Sequence, residues 1–219
     1  MVDFWKAKRV LVTGPAGLIG GYLCTALVER GAYLIGYDLS YPGTLPEHGL
    51  WEDSRPPEWL AGDIREMRET HKTEICFHLA AVSGVEDSRR QGRIAWAVNV
   101  MGTISVMDAC LKAGIPVVVA SSNHVYGDQD GAPTFGDQDG APTFEEAPLR
   151  QLDTYSATKI AADYAARSYA HNYGLAVSIV RNTNCYGPFD PHHDHIIPGS
   201  MLAIAKGEYP RIHGTGKTR

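Results

Sequence analysis

The stretch TGPAGLIG, residues 13 to 20, constrains this chain more than any other. It follows RVLVTG (9 to 14), a β-branched run closed by glycine that reads as a buried strand. It opens LIGGYLCTALVERG, whose apolar residues keep helical spacing up to a capping Gly31. A helix begun this way presents unpaired N–H groups to an anion beyond the turn. Gly14 allows the tight turn, Gly17 lets the backbone approach a pyrophosphate, and Gly20 permits close packing of helix on strand. Glycines alone are common in turns. Here a second strand, YLIGYD (33 to 38), ends in Asp38, placed to accept hydrogen bonds from adenosine ribose hydroxyls and to repel a 2′-phosphate. No Arg or Lys follows Asp38 within several residues, so NAD is expected rather than NADP.

The alternation continues. TEICFHLAA (73 to 81) and IPVVVASS (115 to 122) read as strands, with the helical IAWAVNVMGTISVMDACLKAG between them. YSATKIAADYAARSYAHNYG is an amphipathic helix, LAVSIVRN (175 to 182) a strand and IPGSMLAIAKG (197 to 207) a short helix. Apolar strands alternating with helices predict an α/β fold, a Rossmann-type doubly wound parallel sheet covered on both faces. Residues 41 to 58 carry Pro, Glu and Trp without period and are expected to form a surface excursion. A chain of 219 residues with 44% hydrophobic and 21% charged residues has the composition of a soluble globular protein. Its net charge of −5 argues against a nucleic-acid partner, and no apolar stretch is read as long enough for a membrane span. MVDFWKAKRVLVTG enters a strand too soon for a signal peptide. Cys24, Cys76, Cys110 and Cys185 are scattered with no CxxC pair, which fits reduced thiols and a cytoplasmic location.

YSATK (155 to 159) puts Tyr155 and Lys159 four apart, on one face of a helix. An ammonium beside a phenol lowers the phenol pKa, making a base that can take a proton from a hydroxyl while hydride leaves the adjacent carbon. Taken alone, the spacing also describes an ordinary helix surface. The other motifs decide otherwise: GDI (62 to 64), HLAA (78 to 81), NVMGT (99 to 103), SSNHVYG (121 to 127) and RNTNCYGP (181 to 188) fall in order around it. From residue 9 to its last residue the chain resembles the extended short-chain dehydrogenase/reductase family, in its NAD-dependent nucleotide-sugar epimerase/dehydratase branch.

The resemblance implies roles. Leu18 and Ile19 would lie at the pyrophosphate turn, Asp63 and Ile64 beside the adenine. Leu79, Ala80 and Ala81 would line the nicotinamide side, supported by Asn99, with Ser121 and Thr183 also at the cofactor. Ser122 matches the catalytic Ser/Thr that bonds the reacting sugar oxygen, Tyr155 the base, and Lys159 a ligand of the nicotinamide ribose. Asn184, Asn123 and His124 would face a nucleotide-diphosphate sugar. Arg219, in IHGTGKTR, would bind its diphosphate. Helices 94 to 113 and 155 to 173 would form a homodimer's four-helix bundle. Residues 1 to 180 are expected to form the NAD-binding domain, and 181 to 219 to begin an incomplete substrate-binding region.

Three features depart from the family pattern. Dehydratases follow the catalytic Ser/Thr with Asp-Glu or Asp-Lys, where this chain has Asn123 and His124. C4 epimerisation, which needs only oxidation, rotation of the 4-keto sugar and return of the hydride, is therefore expected ahead of 4,6-dehydration. The chain also ends inside a substrate-binding motif, which keeps a truncated, non-catalytic NAD-binding module in view. Finally, GDQDGAPTFGDQDGAPTF (127 to 144) is one nonapeptide written twice. Its turn-forming composition predicts a surface loop, and one copy suffices for the fold. The histidines of DPHHDH (190 to 195) are expected to line a polar pocket loop rather than hold a metal, and Cys185 to be a small buried residue.

Overall fold

The computed structural model describes residues 3–39, 58–127, 144–188, 190, 192–193 and 195–210. Six parallel strands form one sheet: β1 (Arg9–Thr13), β2 (Tyr33–Asp38), β3 (Glu58–Ala61), β4 (Ile75–His78), β5 (Val117–Ala120) and β6 (Val177–Val180). Their order is β3-β2-β1-β4-β5-β6. The chain winds outward from β1 in one direction, returns to β4 on its other side, and winds outward again. Ligands of such sheets bind at the carboxyl ends of the strands where the order reverses, here between β1 and β4.

Strand β1 pairs on both sides, Val12 with Gly36 and Phe77 in register. Its successive side chains feed opposite faces of the sheet. Leu11 packs with Ile35, Cys76, Val106 and Val117 in one core, while Val10 and Val12 join Cys24, Leu27 and Leu34 in the other. Covered on both faces, Val10, Leu11 and Val12 have no exposed surface. Each such side chain contributes about 1.5–3 kcal/mol relative to exposure.

Helix α1 (Leu18–Glu29) follows β1. After β4 come the short α2 (Val85–Arg90) and α3 (Gly92–Trp96), a π-helical turn (Ala97–Gly102) and α4 (Thr103–Ala113). Helix α5 (Thr154–Tyr173) packs against α4 and the π turn, and α6 (Ile196–Ala205) closes the described part. Asp153 starts α5: its Oδ1 accepts the Ser156 N–H at 3.0 Å and its Oδ2 the Ser156 hydroxyl at 2.6 Å. That cap fixes Tyr155 in the first turn.

The doubly wound parallel sheet is as expected, with three corrections. Glu58 belongs to β3, not to a surface excursion; four residues behind two prolines leave no period to read. Gly92–Ala113 is 22 residues and holds an 18-residue window of mean hydropathy 1.5, long and apolar enough to span a bilayer, contrary to the expectation. Here Val106, Met107, Ala109 and Cys110 of that stretch are core residues instead. Cys185 is exposed, whereas the other three cysteines are buried. The doubled loop lies outside the described residues apart from its ends, Gly127 and Phe144.

Candidate functional site

A cleft of about 490 Å³ opens at the carboxyl ends of the strands, where β1 and β4 diverge. The glycine turn forms one wall. Gly14 has φ +72°, and a Cβ there would lie 2.7 Å from the Ala80 nitrogen. At Gly20 a Cβ would lie 2.1 Å from the Gly14 oxygen. The turn therefore touches both the β4 exit and its own helix. Gly17 begins α1 with no side chain capping it, so the first turn's dipole and N–H groups remain available to an anion. Asp38 closes the same wall. Its Oδ2 accepts the Ala16 N–H at 3.1 Å and its Oδ1 the Leu39 N–H at 2.8 Å.

The cleft floor carries the expected residues. Leu18, Ile19, Asp63 and Ile64 line it on the glycine side, and Leu79, Ala80 and Ala81 on the β4 side. Asp63 is turned toward Arg65, whose paired guanidinium holds its carboxyl below the usual range. Asn99 does not line the cleft but holds its wall. Its Oδ1 accepts the Val82 N–H (2.8 Å), and its Nδ2 donates to the Val82 carbonyl (3.1 Å) and Thr158 Oγ1 (2.9 Å). The π turn that carries Asn99 thus ties the β4 exit to α5.

Ser121, Ser122, Tyr155 and Lys159 meet at the floor. Burial raises the Tyr155 phenol above 10, opposed by a hydrogen bond with Ser122, while Asp153 adds to the rise. The expected lowering by Lys159 is absent. Lys159 Nζ donates to the Ala120 carbonyl at 2.8 Å, and burial pushes its own pKa down to about 8. The ammonium is committed to a carbonyl and desolvation dominates, so Tyr155 rests here as the neutral phenol. Ser121 Oγ is buried without a partner and lines the cleft.

At the outer end lie His124, Thr183, Asn184, Cys185, His192 and His195. His124 Nε2 is 3.3 Å from Asn184 Oδ1, and its ring stands edge-on to Tyr155 with centroids 6.1 Å apart. Buried Asp190 accepts the His192 N–H and pairs with His195 Nδ1, both at 3.0 Å. Of the DPHHDH histidines, His192 and His195 line the cleft and His193 does not. Asn123 corrects the expectation. It is buried, lines no part of the cleft, and its side-chain amide has no protein partner. A 3-10 turn starts at Asn123 and rotates successive side chains by about a third of a turn, so its neighbour His124 faces the cleft instead. Arg219 lies outside the described residues.

One buried group had no signal in the sequence. Thr103 Oγ1 donates to the Asn99 carbonyl (2.6 Å) and so must accept from His78 Nε2 (2.9 Å). That leaves His78 Nδ1 as acceptor for the Thr13 hydroxyl at 2.8 Å. Burial, and then the charge of Lys159, push the His78 pKa down to about 3. A neutral imidazole thus pins the ends of β1 and β4 beneath the cleft. Within an apolar strand, its partners are set only by folding.

The residues present fit a dinucleotide. Gly17 leaves an anion cradle where a Cβ would meet only the Gly14 oxygen at 3.5 Å, and Ser121 offers an orphaned hydroxyl. Residues 10–219 match a family model described as the NAD dependent epimerase/dehydratase family. The chain is 31% identical over 217 residues to UDP-glucose 4-epimerase of Mycolicibacterium smegmatis, covering 95% of this chain and 66% of that protein. It is 29% identical to dTDP-glucose 4,6-dehydratase of Mycobacterium tuberculosis, covering 95% and 62%. Among solved structures, an NAD-dependent NDP-hexosamine 5,6-dehydratase of tunicamycin biosynthesis superposes with a TM-score of 0.80 at 29% identity. It is covered to 65% of its length, with 96% of this chain. The chain thus spans just under two thirds of the length of such relatives.

Proposed function

Because the chain belongs to the NAD-dependent epimerase/dehydratase family, we propose that it binds NAD in this cleft and acts on a nucleotide-diphosphate sugar. The reaction is epimerisation through a transient 4-keto intermediate. The observation that carries the proposal is the convergence of Ser122, Tyr155 and Lys159 on one cleft with the glycine turn and Asp38.

The glycine turn and the α1 N-terminus would hold the pyrophosphate, Asp38 the adenosine ribose, and Lys159 and Ser121 the nicotinamide end. Bound NAD supplies a hydride acceptor. Ser122 Oγ bonds the C4 hydroxyl and orients it toward Tyr155. Tyr155 accepts the hydroxyl proton as the phenolate and returns it when the ketone is reduced. Burial keeps the phenol protonated at neutral pH, so the phenolate fraction, and the rate with it, rises with pH through the alkaline range. His124 and Asn184 bound the outer space that the sugar would enter.

The 4,6-dehydratase reading is favoured by one observation. His124 stands beside Tyr155 at the cleft, where its imidazole could carry a second proton transfer. Two copies of the chain would pair through α4 and α5, on which Met101, just before α4, and Tyr164 expose apolar surface.

Calorimetric titration with NAD and NADP tests the cofactor, and product analysis of supplied nucleotide sugars separates the reactions, since dehydration loses one water. Tyr155→Phe should keep NAD affinity within about threefold and lower turnover at least 100-fold, the scale of a lost general base. Turnover undiminished in Tyr155→Phe would sink the mechanism. NAD binding without turnover on any nucleotide sugar would leave a non-catalytic binding module.

A further inference from the structure

Helix α5 carries a third polar residue on the face of Tyr155 and Lys159. Asp163 lies four residues on from Lys159, and its side chain is fully buried. Two arginines hold it. Arg167 Nε is 2.7 Å from Oδ1, and Arg181 forks onto both oxygens, with Nε to Oδ2 at 2.9 Å and Nη2 to Oδ1 at 3.1 Å. Arg181 follows β6 directly, and its side chain is only 11% exposed. Its remaining nitrogen, Nη1, donates to Tyr126 Oη (2.7 Å) and to the Glu145 carbonyl (2.8 Å).

Those last two acceptors flank the doubled nonapeptide on either side. Tyr126 ends the turn that begins beside Ser122, and Glu145 directly follows the repeat's last residue, Phe144. The stem is closed once more where the Arg150 N–H donates to the Val125 carbonyl at 3.1 Å. On the site side, Asn123 N–H donates to the Asn182 carbonyl (3.0 Å) and Ser121 N–H to the Val180 carbonyl (2.8 Å), placing Ser122 between two anchors.

We propose that Arg181 is a positioning residue: one guanidinium locks the Ser122–Tyr126 segment to the Tyr155 helix and clamps the stem of residues 127–144. Loop length is thereby isolated from the separation of Ser122 and Tyr155. A planar fork is required, because a single ammonium cannot reach Asp163 through two nitrogens and Tyr126 and Glu145 through a third. The length of chain between Tyr126 and Glu145 can then vary without changing how Ser122 and Tyr155 are held. The proposal gives Ser122 and Tyr155 the roles assigned above, but the stem geometry is testable without cofactor.

The test is amide hydrogen exchange on the cofactor-free chain at Asn123, Gly127 and Arg150, with Val12 in β1 as reference. Tyr126→Phe and Arg181→Lys are the variants, since both keep the charge facing Asp163 and should fold. Exchange at the three amides should rise at least tenfold in each while Val12 stays within twofold. Deleting residues 128–136, one copy of the repeat, should leave Asn123 exchange and NAD affinity within about twofold. Failure of Arg181→Lys to raise exchange at the three amides would overturn the clamp. An equal rise at Val12 would reduce Arg181 to general stabilisation and overturn it too. A single-copy chain with NAD affinity changed tenfold would refute the isolation of the loop. If the parent chain binds no NAD, the cofactor reading fails, and the exchange data still decide the clamp.

Discussion

Gly20 and Gly21 are neighbours in the first turns of α1, and the fold gives them opposite sensitivities to the same substitution. A Cβ at Gly20 would sit 2.1 Å from the Gly14 oxygen and 2.8 Å from the Pro15 Cα, both backbone atoms that cannot rotate away. At Gly21 the nearest atom is the Pro15 oxygen at 3.8 Å, an ordinary contact. Gly20→Ala must therefore push the turn off α1, with an overpacking cost of about 1–3 kcal/mol or more. Gly21→Ala meets no clash and removes backbone freedom from the unfolded chain, which stabilises a helix by roughly 0.5–1 kcal/mol. At about 2–4 °C per kcal/mol for a chain of this size, thermal unfolding should fall by roughly 2–12 °C in Gly20→Ala. It should rise by roughly 1–4 °C in Gly21→Ala. Calorimetric NAD titration of both variants should weaken at least tenfold for Gly20→Ala only, because the displaced turn is the proposed pyrophosphate cradle. If Gly20→Ala unfolds within 1 °C of the parent, the close packing of turn on helix is not what this position requires.

Two further outcomes follow from the buried groups. His78 is held neutral with its pKa down at about 3, so the unfolded chain binds the proton more readily. Its contribution is complete above pH 6.5 and is lost as pH falls from 6.5 toward 3, costing about 2 kcal/mol by pH 5. Denaturant unfolding at pH 7.5 and 5 should show this loss, and His78→Gln should flatten it; an unchanged slope would remove His78 as its source. For the thiols, Cys24, Cys76 and Cys110 are buried and Cys185 exposed at the cleft, with burial raising the Cys24 thiol to about 12. A thiol reagent should modify one cysteine quickly and three only on unfolding, and NAD should slow the fast one. Two or more fast thiols would contradict the packing of the core.

The sequence by itself determined the sheet's composition and the cofactor half of the site. Local rules act there: RVLVTG and YLIGYD carry strand composition, the glycines mark the turn, and Tyr155 and Lys159 share a helix face by spacing alone. Short elements were less legible, because the four residues of β3 carry too little pattern to outweigh the prolines before them. Tertiary structure alone decided what each polar group does. His124 rather than Asn123 faces the cleft because a 3-10 turn rotates them. Lys159 rests on the Ala120 carbonyl and not on Tyr155, so burial sets the phenol's protonation. His78, Asp163 and Arg181 acquire their partners from elements up to 65 residues away. Periodicity reports which face of an element is buried, whereas hydrogen bonding and desolvation depend on what folding brings opposite it.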